Sequence, residues 1–230
     1  SKGIFIIPNS SKTKKEIDSF NKELDEDLPF IVENGAGIYN LNLINSSFPE
    51  KISLSREISE ILDIFDNKIS KKYKSKCKFI KNLTSDKQLQ IFGQSKEKVK
   101  LAMKREYSIP LLYDGSKSEK VDLIKSVNNA GLSLHEGGRV INLCDKISKS
   151  QAMKHVVKIF KKISKEELIT IGVGDNFNDL DMLKNSDIPC LVFNDKFTME
   201  KINIDNCLVS KNPAPEGWEE VVKLALDKIK

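Results

Sequence analysis

Residues 170 to 183 read TIGVGDNFNDLDML, an apolar run that stops at Gly174 and then delivers Asp175, Asp179 and Asp181 with Asn176 and Asn178 between them. Crowding like charges costs free energy unless a cation or a proton relieves it. A tight turn at Gly174 places Asp175 at the carboxyl edge of a sheet, where open α/β folds bind ligands. Asp175 and Asp179 are four residues apart, so both can face one point at the start of the next helix, with Asn178 beside them. Sparse oxygen ligands that leave room for waters and a phosphate suit Mg²⁺. The plainer alternative is an aspartate capping a helix N-terminus among solvated neighbours.

Two further features point to phosphate. Ser10 and Ser11 follow the apolar run GIFIIP, where hydroxyls and backbone N–H groups can bind phosphate oxygens. Their alternative role is to cap the helix that begins in KTKKEI, which is compatible with the first. Lys149 stands at the opening of a helix, where the macrodipole disfavours a cation. A bound phosphate would compensate it; otherwise it is a solvated side chain.

The elements that must carry these groups are legible from periodicity. GIFIIP (3–8) reads as a buried parallel strand, and Ile17, Phe20 and Leu24 then share one helix face. PFIVENGAGIYNL (29–41) reads as a hairpin around Asn-Gly. From about residue 46 a long amphipathic helix appears, with Ile58, Ile61, Leu62 and Phe65 inward. Short helices open at Ser85, with Gln88 in the capping-box position, and near Ser95. YSIPLLY reads as a strand, Ser116 and Glu119 box a helix that Gly131 stops, and LSLHEGGRVINLC reads as a hairpin. After Cys144 the α/β alternation resumes: a helix capped by Ser148 with Gln151, strands at 168–174, 187–193 and 206–210, and a terminal helix. The prediction is a doubly wound, mostly parallel, Rossmann-like α/β core formed by 1–45 and 146–230, interrupted by an inserted α+β cap domain at 46–145.

Composition bounds the rest. At 230 residues, with 39% hydrophobic and 31% charged residues, the chain can bury a sizeable core. Its net charge of +5 is mild and its lysines are scattered, which gives no indication of nucleic-acid binding but suits an anionic small molecule. Cys77, Cys144, Cys190 and Cys207 lie far apart with no CxxC, as expected of reduced thiols in a cytoplasmic protein rather than a zinc site. No apolar run approaches the roughly 18 residues of a membrane span. His135 and His155 read as ordinary surface or cap residues.

Strand-Ser, Lys at a helix start, and strand-GDxxND follow the order of motifs two to four of the haloacid-dehalogenase-like phosphatases with a large cap. NSSKTKKEI, PFIVENGAGIY, KREYSIP, EGGRV, GDNFNDLDML, SDIPCLV and PAPEGWEEVV resemble, in order and spacing, the landmarks of the mannosyl-3-phosphoglycerate phosphatases. The resemblance implies a Mg²⁺-dependent phosphatase that hydrolyses a glycosyl-3-phosphoglycerate, mannosyl or glucosyl, through an aspartyl phosphate. It implies that Ser10 holds phosphate oxygens, that Lys149 neutralises the transferring group, and that Asp175, Asn178 and Asp179 position the metal. Arg139 in the GGR turn is implied as the seat of the glycerate carboxylate, which a guanidinium matches bidentately, with Arg105 and Ser108 as second candidates. Ser11, Lys12, Asn34, Gly35 and Gly138 complete the implied substrate-binding set. Ile109 departs from the pattern, since the family has an acid there; this leaves the sugar open. The competing readings are another sugar phosphatase, such as one for sucrose phosphate, or an inactive phosphosugar-binding relative.

The family's first motif, a strand followed by DxDGT, is not found. Asp25 and Asp27 form a DxD, but KELDEDLPF joins a helix to a strand and lacks the apolar run. The expectation is that the nucleophile strand precedes SKGIFIIP in the parent protein, since its loss would bare two strand edges.

Overall fold

The computed structural model describes residues 3–137, 139–163, 167–195 and 203–229. The chain divides into two compact units, Ser1–Ile147 and Ser148–Lys230. Among the described residues no helix is long and apolar enough to cross a membrane.

The first unit contains α1 (Lys14–Leu24), β1 (Phe30–Val32), β2 (Gly37–Tyr39), β3 (Lys51–Ser53), α2 (Ile58–Lys68), α3 (Lys71–Lys74) and β4 (Cys77–Phe79). It continues through α4 (Ser85–Phe92), α5 (Lys96–Ala102), β5 (Ser108–Tyr113), α6 (Lys117–Asn129), β6 (Leu132–Glu136) and β7 (Ile141–Asp145). β1, β2 and β3 form an antiparallel sheet in that order, with Val32 opposite Gly37 at the hairpin end. Three successive residues of its turn, Glu33, Asn34 and Gly35, have φ of 49°, 62° and 106°. Asn and Gly tolerate that region, as the hairpin prediction required; a glutamate there is uncommon. β3 and β4, three residues each, are too short for periodicity to reveal.

Two expectations for the start of the chain do not hold. GIFIIP is not a buried strand: Ile4, Phe5 and Ile6 are 54%, 52% and 55% exposed. Parallel pairing is confined to a single bridge between Asn9 and Ile31, flanked by hydrogen bonds from Ile31 N to Pro8 O and from Ser10 N to Ile31 O. An apolar run states a need for burial, whereas a strand requires a neighbouring strand for its backbone, and among the described residues such pairing is found only at its end. On α1, Ile17 is buried but Phe20 and Leu24 are exposed; the helix seats Asn21 instead, which donates to the Leu28 carbonyl. The helix is capped by Thr13 with Glu16, not by Ser10 or Ser11. α4 likewise starts after Thr84 without a side-chain cap, and Gln88 donates to the carbonyls of Ile80 and Leu83 rather than closing a box.

The second sheet of this unit is antiparallel, in the order β4-β5-β7-β6. Alternation puts Ile109, Leu111, Leu132, Leu134, Ile141 and Leu143 on one face, packed against Ile61 and Phe65 of α2 and Leu123 and Val127 of α6. Ile109, where the resemblance expects an acid, is 2% exposed in this apolar layer. Its surroundings match the isoleucine: an unpaired carboxylate there would cost several kcal/mol.

Arg56, after β3, clamps the end of β7. Its backbone N–H and Nε donate to Asp145 Oδ2 at 3.0 and 2.9 Å, and Nη2 donates to Asp145 Oδ1 at 2.5 Å and to the Gly131 carbonyl at 2.9 Å. The Arg56 hydrogen bonds hold the Asp145 carboxyl below its ordinary value of 3.8, against the opposing effect of burial. Arg56 is about a third exposed, so solvent screens the pair; Arg56→Ala should cost about 1–3 kcal/mol at pH 7. A lowered carboxyl contributes stability above its unfolded pKa and loses it as pH falls through its folded one. The difference between Arg56→Ala and the parent in urea titrations should therefore be full at pH 7 and shrink below about pH 3.8.

The second unit contains α7 (Lys149–Phe160), β8 (Ile171–Gly174), α8 (Leu180–Lys184), β9 (Ile188–Leu191), β10 (Leu208–Val209) and α9 (Glu216–Asp227). β10, β9 and β8 form a parallel sheet in that order, and Val221 and Ala225 of α9 pack with Cys190 and Val192. The parallel strands with helices between them are the α/β pattern read from the sequence. β8 is shorter than expected and only half-buried, beginning at Ile171 after an exposed Ile169. The Ser148–Gln151 and Ser116–Glu119 capping boxes form as predicted.

Candidate active site

In the second unit, β8 delivers the chain to Gly174, and the acidic loop folds back upon that residue. A Cβ on Gly174 would lie 2.4 Å from the Cβ of Asp179, so only glycine permits this approach. Asp179, 4% exposed, reaches in two directions. Its Oδ1 takes a hydrogen bond from Lys149 Nζ at 2.6 Å, and its Oδ2 accepts from the backbone N–H groups of Asp175 and Asn176 at 3.2 and 3.1 Å. Lys149, 8% exposed at the first position of α7, is thereby relieved of the unfavourable helix end. Asn176 adds a cap by accepting from Phe177 N at 2.8 Å.

Asp175 and Asn178 are exposed on the same loop. Asn194 donates to the carbonyl and, at 3.4 Å, to the carboxylate of Asp175. Asp181 is not simply solvated: it accepts from Ser148 Oγ at 3.2 Å and from the Asn185 amide. Among the described residues no three His, Cys, Asp or Glu side chains gather as a metal cage. The donors present are hard oxygens, one exposed carboxylate and one exposed amide beside a buried carboxylate. That fits Mg²⁺ in kind, because it keeps several waters and takes one or two carboxylates plus substrate phosphate.

The first unit gathers a different set. Ser10, Ser11 and Lys12 run alongside the end of β1: Asn34 N donates to Ser10 O at 2.9 Å and Glu33 N to Lys12 O at 3.0 Å. Ser10 Oγ accepts from Lys12 N at 3.2 Å, so the hydroxyl shapes its own loop. Lys12 is half-exposed, with its ammonium 3.3 Å from Glu16. Asn34 is buried, and Gly35 donates to Val32 O to close the turn.

Glu33, which the sequence reading passed over, is the centre of this set. It is 2% exposed and accepts from Glu106 N at 2.8 Å, Tyr107 N at 3.2 Å and Ser108 Oγ at 2.5 Å. Arg105 Nη1 lies 3.8 Å from its carboxylate while donating to Ser108 Oγ at 2.9 Å and Ser11 O at 3.4 Å. Burial pushes the Glu33 carboxyl above its ordinary range, against the pull of Arg105 and the donors around it. Beside it, burial acts to raise the Glu106 carboxyl, but Lys51 and Tyr39, both donating to it at 2.9 Å, bring it below its usual value. A cleft of about 250 Å³ opens at this corner, lined by Glu57, Ile58, Ser59, Arg105, Glu106 and Tyr107.

The structure thus brings Ser10, Ser11, Lys12, Asn34, Gly35, Arg105 and Ser108 into one neighbourhood, and Lys149, Asp175, Asn178 and Asp179 into another. Within the first unit Arg139 stands apart from that set: its exposed guanidinium lies by Gly93, at the end of α4. Gly138 lies outside the described residues. The four cysteines are free, and burial raises Cys144 to about 12 and Cys77 and Cys190 to about 11. None of these three thiols is ionised near neutrality, so none offers a thiolate nucleophile.

A profile of the haloacid dehalogenase-like hydrolases matches residues 1–203. The chain is 31% identical to the glucosyl-3-phosphoglycerate/mannosyl-3-phosphoglycerate phosphatase of Persephonella marina, in an alignment covering 99% of this chain and 87% of that protein. It is 29% identical to the mannosyl-3-phosphoglycerate phosphatase of Pyrococcus horikoshii over 79% of this chain and 74% of that one. Among solved structures, a haloacid dehalogenase-like hydrolase of B. subtilis superposes with a TM-score of 0.65 at 17% identity, covering 96% of this chain and 87% of that one. A HAD subclass IIB sugar phosphatase gives 0.60 at 17% identity, covering 99% and 86%. These two likenesses concern the fold.

Proposed function

The chain belongs to the haloacid dehalogenase-like hydrolase family and is a phosphoric monoester hydrolase, and from that premise we propose that it cleaves the phosphate ester of a glycosyl-3-phosphoglycerate. The sugar would be mannose or glucose, and the products glycosylglycerate and inorganic phosphate. The observation that carries this reading is the alignment with the Persephonella marina phosphatase, which runs through 99% of the chain.

In this reading residues 46–145 are the cap, and the flanking segments form the core. Lys149 neutralises charge on the transferring phosphoryl group, and its anchorage on Asp179 means that no reorganisation is needed as charge develops. Asp179 also aims the backbone of Asp175 and Asn176, fixing the loop on which Asp175 stands. Asp175 and Asn178, with Asp179 behind them, would hold Mg²⁺, which when bound offsets negative charge on the phosphate oxygens. Ser10 would donate its hydroxyl to a phosphate oxygen. Arg105, Ser108, Asn34 and Arg139 are assigned to the glycerate and sugar.

The nucleophile in this reading is an aspartate, as the family resemblance implies. Its carboxylate forms the bond to phosphorus as the ester oxygen leaves and takes a proton, and water then releases phosphate.

The reaction is tested by incubating the full-length protein and Mg²⁺ with glucosyl- and mannosyl-3-phosphoglycerate and identifying the products. Equal amounts of phosphate and glycosylglycerate are expected. Release of free sugar and 3-phosphoglycerate, or no turnover of either compound, would overturn the reading.

A further inference from the structure

Glu33 holds a backbone conformation that L-residues adopt at a cost of about 1–2 kcal/mol, in a chain segment where a hairpin could have placed asparagine or glycine. Its side chain is also withdrawn from water and accepts hydrogen bonds from residues 106–108, more than seventy positions away. Turn formation does not explain that arrangement. A hairpin needs nothing from the carboxylate at this position, and hairpin turns usually leave such side chains in solvent.

What the carboxylate does hold is Arg105. The guanidinium lies 3.8 Å from Glu33 and shares Ser108 Oγ with it, so Ser108 relays the two groups. Nη1 is occupied by Ser108 and the Ser11 carbonyl, whereas Nε is buried and has no acceptor among the described residues. A buried donor without a partner costs about 1–3 kcal/mol unless a ligand fills it. Arg105 also lines the 250 Å³ cleft, next to Ile58 and Ser59 of the first turn of α2. Two acids line the same cleft: Glu106 is answered by Lys51 and Tyr39, and Glu57 is the N-cap of α2, making no side-chain cap bond.

We propose that Glu33 is a positioning residue for substrate selection, fixing Arg105 through Ser108 so that the guanidinium, which lines the cleft, receives the carboxylate of the substrate's glycerate. This rests on the glycosyl-3-phosphoglycerate reading above. Glu33 touches no substrate; it sets the rotamer and the charge balance of the arginine that does. Arg105, rather than the exposed Arg139, then carries the carboxylate contact.

The test is steady-state kinetics on the full-length protein, its Glu33→Gln and Arg105→Gln variants and the double variant. The substrates are mannosyl- and glucosyl-3-phosphoglycerate and, as an ester without a carboxylate, p-nitrophenyl phosphate. Arg105→Gln and Glu33→Gln should each raise KM for the phosphoglycerate esters by about tenfold or more with a smaller change in kcat, lowering their preference over p-nitrophenyl phosphate. Because the two residues act as one unit, the double variant should be no worse than Arg105→Gln alone. Unchanged preference in Glu33→Gln, or fully additive losses, would overturn the proposal. A parent enzyme that shows no preference for the phosphoglycerate esters would instead overturn the functional reading beneath it. Should Glu33→Gln fail to fold, Ser108→Ala takes its place: a several-fold rise in KM supports the relay, and an unchanged KM refutes it.

Discussion

Replacement of Lys149 by methionine should lower kcat for the phosphate ester by about a hundred- to a thousandfold, with KM changed far less. The lysine is buried, hydrogen-bonded to Asp179 at 2.6 Å, and seated where the helix macrodipole opposes it. In the proposed reaction those features make it a fixed positive charge whose favourable interaction would grow as the phosphoryl group separates from its ester oxygen. Ground-state binding draws on many contacts, whereas transition-state charge is met by few. The measurement is the kcat and KM of the full-length protein beside its variant, with circular dichroism to show that both are folded. A loss confined to KM would mean that Lys149 acts in binding alone.

Asp179→Ala should be damaging twice. It leaves the Lys149 ammonium buried without its counter-ion, which costs about 3–5 kcal/mol, and it frees the backbone of Asp175 and Asn176 to leave the loop geometry. Activity should fall at least as far as in Lys149→Met, and the urea midpoint should drop with it. Asp179→Asn separates the two functions. The amide oxygen can still accept the loop N–H groups, but the charge is gone, so loop order should survive better than turnover. Removing both charges together, as Lys149→Met with Asp179→Leu, should recover stability relative to Asp179→Ala while leaving the enzyme inactive. A double variant less stable than either single one would show that the pair contributes more than mutual neutralisation.

The features legible in the sequence are those whose causes are local. Ser116 with Glu119 and Ser148 with Gln151 close their capping boxes within one turn, and the Asn34-Gly35 turn makes its hairpin within four residues. The loop from Gly174 to Asp179 is equally self-contained, since Gly174 exists to admit the Asp179 side chain. Features that depend on distant partners were not legible. GIFIIP carries the composition of a buried strand, but among the described residues backbone strand pairing reaches it only at Pro8–Ser10. Phe20 and Leu24 sit at helical spacing on a face that stays exposed for the same reason.

Glu33 is the instructive omission. Beside an Asn-Gly turn a glutamate looks solvated, and nothing within ten residues marks it as buried; its partners at 106–108 come from another segment of the chain. The one available clue was its acidity immediately after three apolar strand residues, a position at the end of the pleat rather than on its outer face. The resemblance offers Arg105 and Ser108 as second candidates for a substrate carboxylate, and the structure supplies them with an internal carboxylate first.

The central claim is that this phosphatase selects a phosphoglycerate ester of a hexose. The most direct test compares kcat/KM of the full-length protein with Mg²⁺ for glucosyl- and mannosyl-3-phosphoglycerate against sucrose 6-phosphate and glucose 6-phosphate. A site built to receive the glycerate carboxylate should favour the first two by about a hundredfold or more, since analogues lacking that group leave a buried donor unpaired. Equal values across the four, or a preference for an ester without glycerate, would contradict the account.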